Sequence, residues 1–207
     1  GFGINNARIY INGQIHKNIK FTFNTECFNC SKSMNGGAGS GNPGFGDSSS
    51  IGLLDAIAKF EFNRHVNIWA GRTLVNTERG ELNGPFYHAT FEGFKTPFFP
   101  QDYSGNFGNA SNGSNTGGGM YGRDDGVVFF GDLDVPQPLG MGTGTLQYSA
   151  GVFNGTKAGS AAGANQSDSA SWAGRVTYNF LNPEKNPGYY TSGTYYGGAG
   201  DILAVAF

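Results

Sequence analysis

Asn6-Ala-Arg-Ile-Tyr-Ile-Asn-Gly-Gln-Ile-His-Lys-Asn-Ile-Lys-Phe-Thr-Phe-Asn-Thr25 decides the fold. In its first half Ile9 and Ile11 oppose Arg8, Tyr10 and Asn12. In its second half Ile19, Phe21 and Phe23 oppose Lys20, Thr22 and Asn24. A period of two is that of a strand, and the contrast across it describes a sheet whose faces meet different media. Only a very tight polar turn separates the halves, so they read as a hairpin, Asn5 to Gln14 and Lys17 to Glu26.

The same pattern recurs along the chain and gives eight strands. In Leu53 to Asn63, Leu54, Ala56, Ala58, Phe60 and Phe62 face one way, with Asp55, Lys59 and Glu61 opposite. Val66 to Val75 returns after the short Arg64-His65 turn. Tyr121 to Leu133, Thr143 to Asn154 and Ser171 to Phe180 follow, the last placing Trp172, Val176, Tyr178 and Phe180 against Arg175, Thr177 and Asn179. Asp201 to Phe207 reads as a strand cut short. The chain opens on Gly1-Phe2-Gly3 with no visible signal peptide, so both ends are expected to be edges of a fragment.

The connections sort by length. A polar, Gly/Ser/Asn-rich stretch at Asn29 to Ser50, a very long connection at Asn76 to Met120 and a Gly/Ser/Ala/Asn loop up to Ser169 alternate with the short Arg64-His65 and Asp134 to Gly140 turns. Asn182 to Pro187 and a Tyr-rich stretch make a last connection of short to moderate length. Short turns on one side and long loops on the other mark an up-and-down barrel. The expected fold class is therefore all-β, an antiparallel transmembrane β-barrel, with residues 1–207 as part of one domain.

Composition agrees. The 207 residues include 36 Gly, 18 Phe and 10 Tyr, a bias toward β structure. No apolar run is long enough for a membrane helix, whereas barrel strands need only about 10 alternating residues. Thirteen basic against fifteen acidic residues, a formal charge of -2, lack the basic stripe of a nucleic-acid binder. No catalytic arrangement and no organic cofactor motif stand out, so no enzyme activity is expected.

Several segments together resemble the phosphate-selective porin O and P family of bacterial outer-membrane channels. They are Ala7 to Gly13 with Lys17 to Phe21, Leu53-Leu-Asp-Ala56, Ala70-Gly-Arg72, Arg123 to Val127, Leu146 to Gly155, Ala173 to Thr177 and Gly200 to Ala204. The resemblance implies a barrel of about 16 strands, roughly half of it covered here, and a homotrimer in outer-membrane lipid. It also makes residues 76–120 the third external loop, which in general porins folds inward and narrows the pore.

Selectivity in a pore comes from groups lining its narrowest section. By strand parity Arg8, Lys20, Asp55, Lys59, Glu61 and Arg175 would face the channel; glycines break the parity at Arg72 and Arg123. From the third loop Glu78, Arg79, Glu81, Glu92, Lys95 and Asp102 could reach a constriction. Basic and acidic residues are interleaved, so a general pore for small polar solutes or inorganic ions is expected, with at most a mild anion preference. Two rivals stand beside it: a structural or scaffold barrel, with a wide uncharged lumen, and a secreted β-sandwich binding module.

Cys27 and Cys30 are the only cysteines. Ser31 excludes the haem-attachment motif and the histidines at 16, 65 and 88 lie far away for zinc, so outside the cytosol a local disulfide is expected. Asp124, Asp125, Asp132 and Asp134 do not match a calcium loop, and no metal is expected. Trp69, Trp172, Tyr178, Tyr189 and Tyr190 are expected in interfacial aromatic girdles.

Overall fold

A computed structural model describes residues 6–28, 51–77, 79–82, 123–137, 142–154, 170–183, 188–190 and 200–207. Eight strands run in order: β1 (Asn6–His16), β2 (Ile19–Phe28), β3 (Ile51–Glu61), β4 (Asn67–Leu74), β5 (Arg123–Pro136), β6 (Thr143–Phe153), β7 (Ser171–Asn179) and β8 (Ala204–Ala206). Each pairs antiparallel with its chain neighbours in one sheet of order β1-β2-β3-β4-β5-β6-β7-β8. The expected meander of eight strands is present. The sheet is open, with β1 and β8 as its edges.

The short turns gather at one end and are laced together. The Glu61 N–H donates to Asn18 O at 2.9 Å, and the Asp132 N–H to Arg64 O at 3.1 Å. Arg64 holds Asp134 through Nη1 and Nη2 at 2.7 and 2.5 Å and also pairs with Asp132. The last ladder runs beyond β7 and β8: the Phe180 N–H reaches Leu203 O at 2.8 Å and the Phe207 N–H reaches Val176 O at 2.9 Å. The final segment is thus a strand, as its alternation predicts.

Register carries the faces across the sheet, because directly paired residues point the same way. Gly13, Phe21, Ala58, Ala70, Val127, Val152 and Trp172 form one continuous row. This apolar face is bare: Ile9 is 60% exposed, Phe21 39%, Val127 49%, Val176 44% and Trp172 78%. The next row on the other face reads Gln14, Lys20, Lys59, Trp69, Val128, Gly151 and Ala173. It is polar at the β1 side and apolar from Trp69 onward.

That change reveals the core. Ile57, Trp69, Val128, Phe130 and Phe153, all from the nominally polar face, pack with Leu74, Val75, Leu82 and Tyr189 into one buried cluster. Two segments from opposite ends cover them. After Gly71, whose φ of 122° suits glycine alone, β4 ceases to alternate, and Arg72 to Asn76 are all buried. The chain then enters a single helical turn, α1 (Arg79–Leu82). From the short-turn end, Gly188 to Tyr190 lies against Trp69 and Phe130.

Two expectations need correction. Trp69 is 1% exposed and Tyr189 9%, and Tyr190 packs on the same cluster, so none of the three stands in a girdle. Leu54 does not share the bare face of Ala56 and Ala58. A register shift between Asn24 and Thr25 leaves it opposite no partner, and it is fully buried. Part of the β7–β8 connection, Gly188 to Tyr190, crosses the sheet's polar face.

Candidate functional site

The polar face carries the candidate chemistry, and its charges are arranged in two tiers. The first tier is half-exposed. Lys20 and Lys59 are direct ladder partners, a repulsive placement that Glu61 relieves. Lys20 Nζ donates to Glu61 Oε2 at 2.6 Å, and Trp69 Nε1 donates to Glu61 Oε1 at 3.1 Å. Lys59 Nζ sits 4.0 Å from the centroid of the Trp69 ring, within cation–π range. Both ammonium groups are therefore held by one carboxylate and one indole.

The second tier is dry. Arg123 Nε donates to Asp55 Oδ1 at 2.7 Å and its Nη2 to Oδ2 at 3.3 Å, with both side chains no more than 5% exposed. Asn24 Nδ2 adds a bond to Asp55 Oδ2 at 2.9 Å. Asp55 is thus on the expected face but engaged in a buried pair, where it fixes β3 to the start of β5. Arg72 is buried as well, its Nη1 3.9 Å from Asp125 Oδ1.

The covering segments are tied down by polar contacts. Asn76 Nδ2 donates to Ser149 Oγ at 3.1 Å and to Ala173 O at 3.2 Å, and Arg175 Nη1 donates to Thr77 O at 3.1 Å. These bonds draw the start of the β4–β5 connection over β6 and β7. At the meeting point Thr73 Oγ1 bonds the hydroxyls of Tyr189 and Tyr190 at 2.8 and 2.7 Å. Tyr189 also donates to Leu74 O at 2.5 Å, and the Leu74 N–H reaches Tyr190 Oη at 3.1 Å. Burial makes both tyrosine hydroxyls less acidic than usual, so they stay neutral as hydrogen-bonding groups. Gly188, with φ 64°, is required there: a Cβ would collide with the Trp69 ring.

The remaining candidates divide by position. Arg8 is half-buried and donates from Nη1 to Tyr10 Oη at 3.2 Å. Arg79, exposed, and Glu81 fall in α1. Glu78, Glu92, Lys95 and Asp102 lie outside the described residues. Cys27 pairs in the ladder with Ala7 and Ile51, while Cys30, and with it the expected bridge, lies outside them too. Among the described residues no group of three or more His, Cys, Asp or Glu side chains could hold a metal, and no helix is long and apolar enough to cross a membrane.

Sequence reasoning left Arg72 and Arg123 unplaced and missed the inward role of Trp69 and the tyrosine pair. Partners such as Asp55 and Arg123, or Thr73 and Tyr190, are far apart in sequence, and nothing local announces them. One signal was present: Val128 and Phe130 are apolar on the face opposite Val127 and Phe129, which breaks the polar half of the alternation. Comparison of the chain with protein-family models, with curated proteins and with solved structures finds no match. The porin resemblance thus rests on its motifs alone.

Proposed function

We propose that the chain is part of an outer-membrane β-barrel that passes small polar solutes or inorganic ions by diffusion. One observation carries the reading: most of one sheet face, with Ile9, Phe21, Val127, Val176 and Trp172, stands uncovered, while Arg8, Lys20, Lys59, Glu61 and Arg175 lie on the opposite face. In water such a face would be an aggregation surface; against lipid it is the favoured one. The open β1 and β8 edges would then be completed by further strands, since hydrocarbon tolerates no unpaired backbone. The porin resemblance adds a trimeric assembly in the bacterial outer membrane, and diffusion requires no turnover chemistry. The segments on the polar face would narrow the passage from both ends.

A second reading has one observation in its favour. The dry Trp69 cluster fills part of the polar face, as a non-conducting scaffold barrel would allow. Planar-bilayer recording on the detergent-purified full-length protein separates the two. Stepwise ion currents with weak selectivity in a salt gradient are the expected result; a protein that inserts and stays silent favours the scaffold. Extraction into buffer without detergent would overturn both and point to a soluble β-sandwich.

A further inference from the structure

A cavity of about 470 Å³ opens on the polar face near the short turns. Its floor is two rows of the sheet. One runs Glu61, Asn67, Phe130, Ser149, Arg175 across β3 to β7. The other runs Asp132, Gln147, Thr177 across β5 to β7. Tyr189 closes one side and Lys17 with Asn18 another. The volume falls among ordinary small-ligand sites, roughly 300–1,000 Å³.

Most of the charged groups around this space already have a partner. Glu61 is held by Lys20 at 2.6 Å, Arg64 by Asp134 and Asp132, and Arg175 donates to Thr77 O. Lys17, Lys20, Arg64 and Arg175 stand against Glu61, Asp132 and Asp134, an excess of one positive charge. A cation entering would shed water against a net positive lining, and an anion would meet only the solvent-exposed ammonium of Lys17, whose attraction water screens. The groups between the charges are amides and hydroxyls, at Asn67, Gln147, Ser149 and Thr177, beside the rings of Phe130 and Tyr189. Such groups exchange donor and acceptor bonds with hydroxyls as water does, while rings accept C–H faces.

We propose that this cavity is a subsite for an uncharged polyhydroxy solute of about hexose size. The proposal rests on the pore reading above and names the solute class that the pore favours. The solute sits across the two rows, its hydroxyls on Gln147, Thr177 and Asn67 and its carbon face toward Phe130 and Tyr189.

The test is titration of the ion current of the full-length protein in planar bilayers with three probes matched in size: glucose, the anion gluconate and the cation N-methylglucamine. Glucose lowers the current along a saturating curve, with half-block on the order of millimolar. The charged probes give no saturation in the same range. Gln147→Ala and Thr177→Ala each raise the glucose half-block concentration about five-fold, the effect of one net hydrogen bond. Thr22→Ala, on the same face of β2 but outside the cavity, leaves it unchanged. Should an alanine variant lose its heat-modifiable band on gels, Gln147→Glu carries the test, since a carboxylate beside Asp132 weakens the glucose block. Currents that respond to all three probes alike, or to none, overturn the subsite and leave the pore standing. Absence of any current overturns the pore reading, and the subsite with it.

Discussion

The β1–β2 hairpin and the β3–β5 region share the same period-two pattern, yet they end as different kinds of structure. In the hairpin both faces are open up to Asn24, which is buried against Asp55: Ile9 and Phe21 are bare on one side, and Thr22 Oγ1 donates to Asn12 Oδ1 at 2.7 Å on the other. In β3 to β5 the polar face has become an interior. Ile57, Trp69, Val128 and Phe130 are at most 6% exposed, roofed by the start of the β4–β5 connection and by Gly188 to Tyr190. Alternation fixes which residues share a face; whether that face is wet depends on what the loops lay over it. Stability should therefore concentrate in β3 to β5, with the hairpin comparatively tolerant of change.

The strongest way to break this contrast is to orphan the buried ion pair. Arg123→Met leaves the Asp55 carboxylate buried without its cation, at an expected cost of about 3–5 kcal/mol. The double variant with Asp55→Leu should recover most of that, because a well-packed apolar pair replaces two desolvated charges. Denaturant unfolding of the four proteins in one cycle measures it. Additive effects would show that the two side chains do not depend on each other. Trp69→Ala belongs to the same class: the lost ring and the cavity left behind should remove about 3–5 kcal/mol. Trp172→Ala, at a site 78% exposed, should cost far less in detergent.

How much of this was legible in the sequence follows from the range of each interaction. Strand number, order and the bare face came from local alternation, a property of neighbours, and Phe21 and Val176 stand where it puts them. Arg8, Lys20, Lys59, Glu61 and Arg175 also fall on the side opposite the bare face. The conversion of that side into a core did not follow, because it is made by contacts between residues such as Thr73 and Tyr189, which only the folded chain brings together. Gly71 and Gly188 were visible as glycines but not as the bend and the close approach they permit. Leu54 was misplaced by one register shift, which inverts a parity argument at a stroke.

The tyrosine pair tests whether the two covering segments act as one roof. Tyr189→Phe and Tyr190→Phe remove hydroxyls shared with Thr73 and Leu74, and each should lower stability by about 1–3 kcal/mol through the buried groups left unpaired. The pH dependence has a defined sign. Both hydroxyls are raised by burial, so the folded state keeps its protons longer than the released one, whose tyrosines ionise near 10. The stabilisation is whole below about pH 10 and falls as pH rises from there toward the raised folded value. Ultraviolet titration of tyrosinate should show two late-ionising residues in the native protein. Ordinary titration of all tyrosines would mean the roof is not docked.

The smallest expected effect comes from the half-exposed tier, and it sharpens the comparison. Lys20 and Glu61 pair at 2.6 Å, but their side chains retain 39% and 25% exposure. Water screens such a pair, so Lys20→Gln should change stability by only about 0.2–1 kcal/mol. Some of even that is offset, because the substitution also removes the repulsion from Lys59 across the ladder. Trp69 keeps its bond to Glu61 Oε1 in the variant, and Lys59 keeps the ring. A measured loss as large as that of Arg123→Met would mean that the lysine pair is as desolvated as Asp55, and that the hairpin's polar face is no more open than the interior beside it.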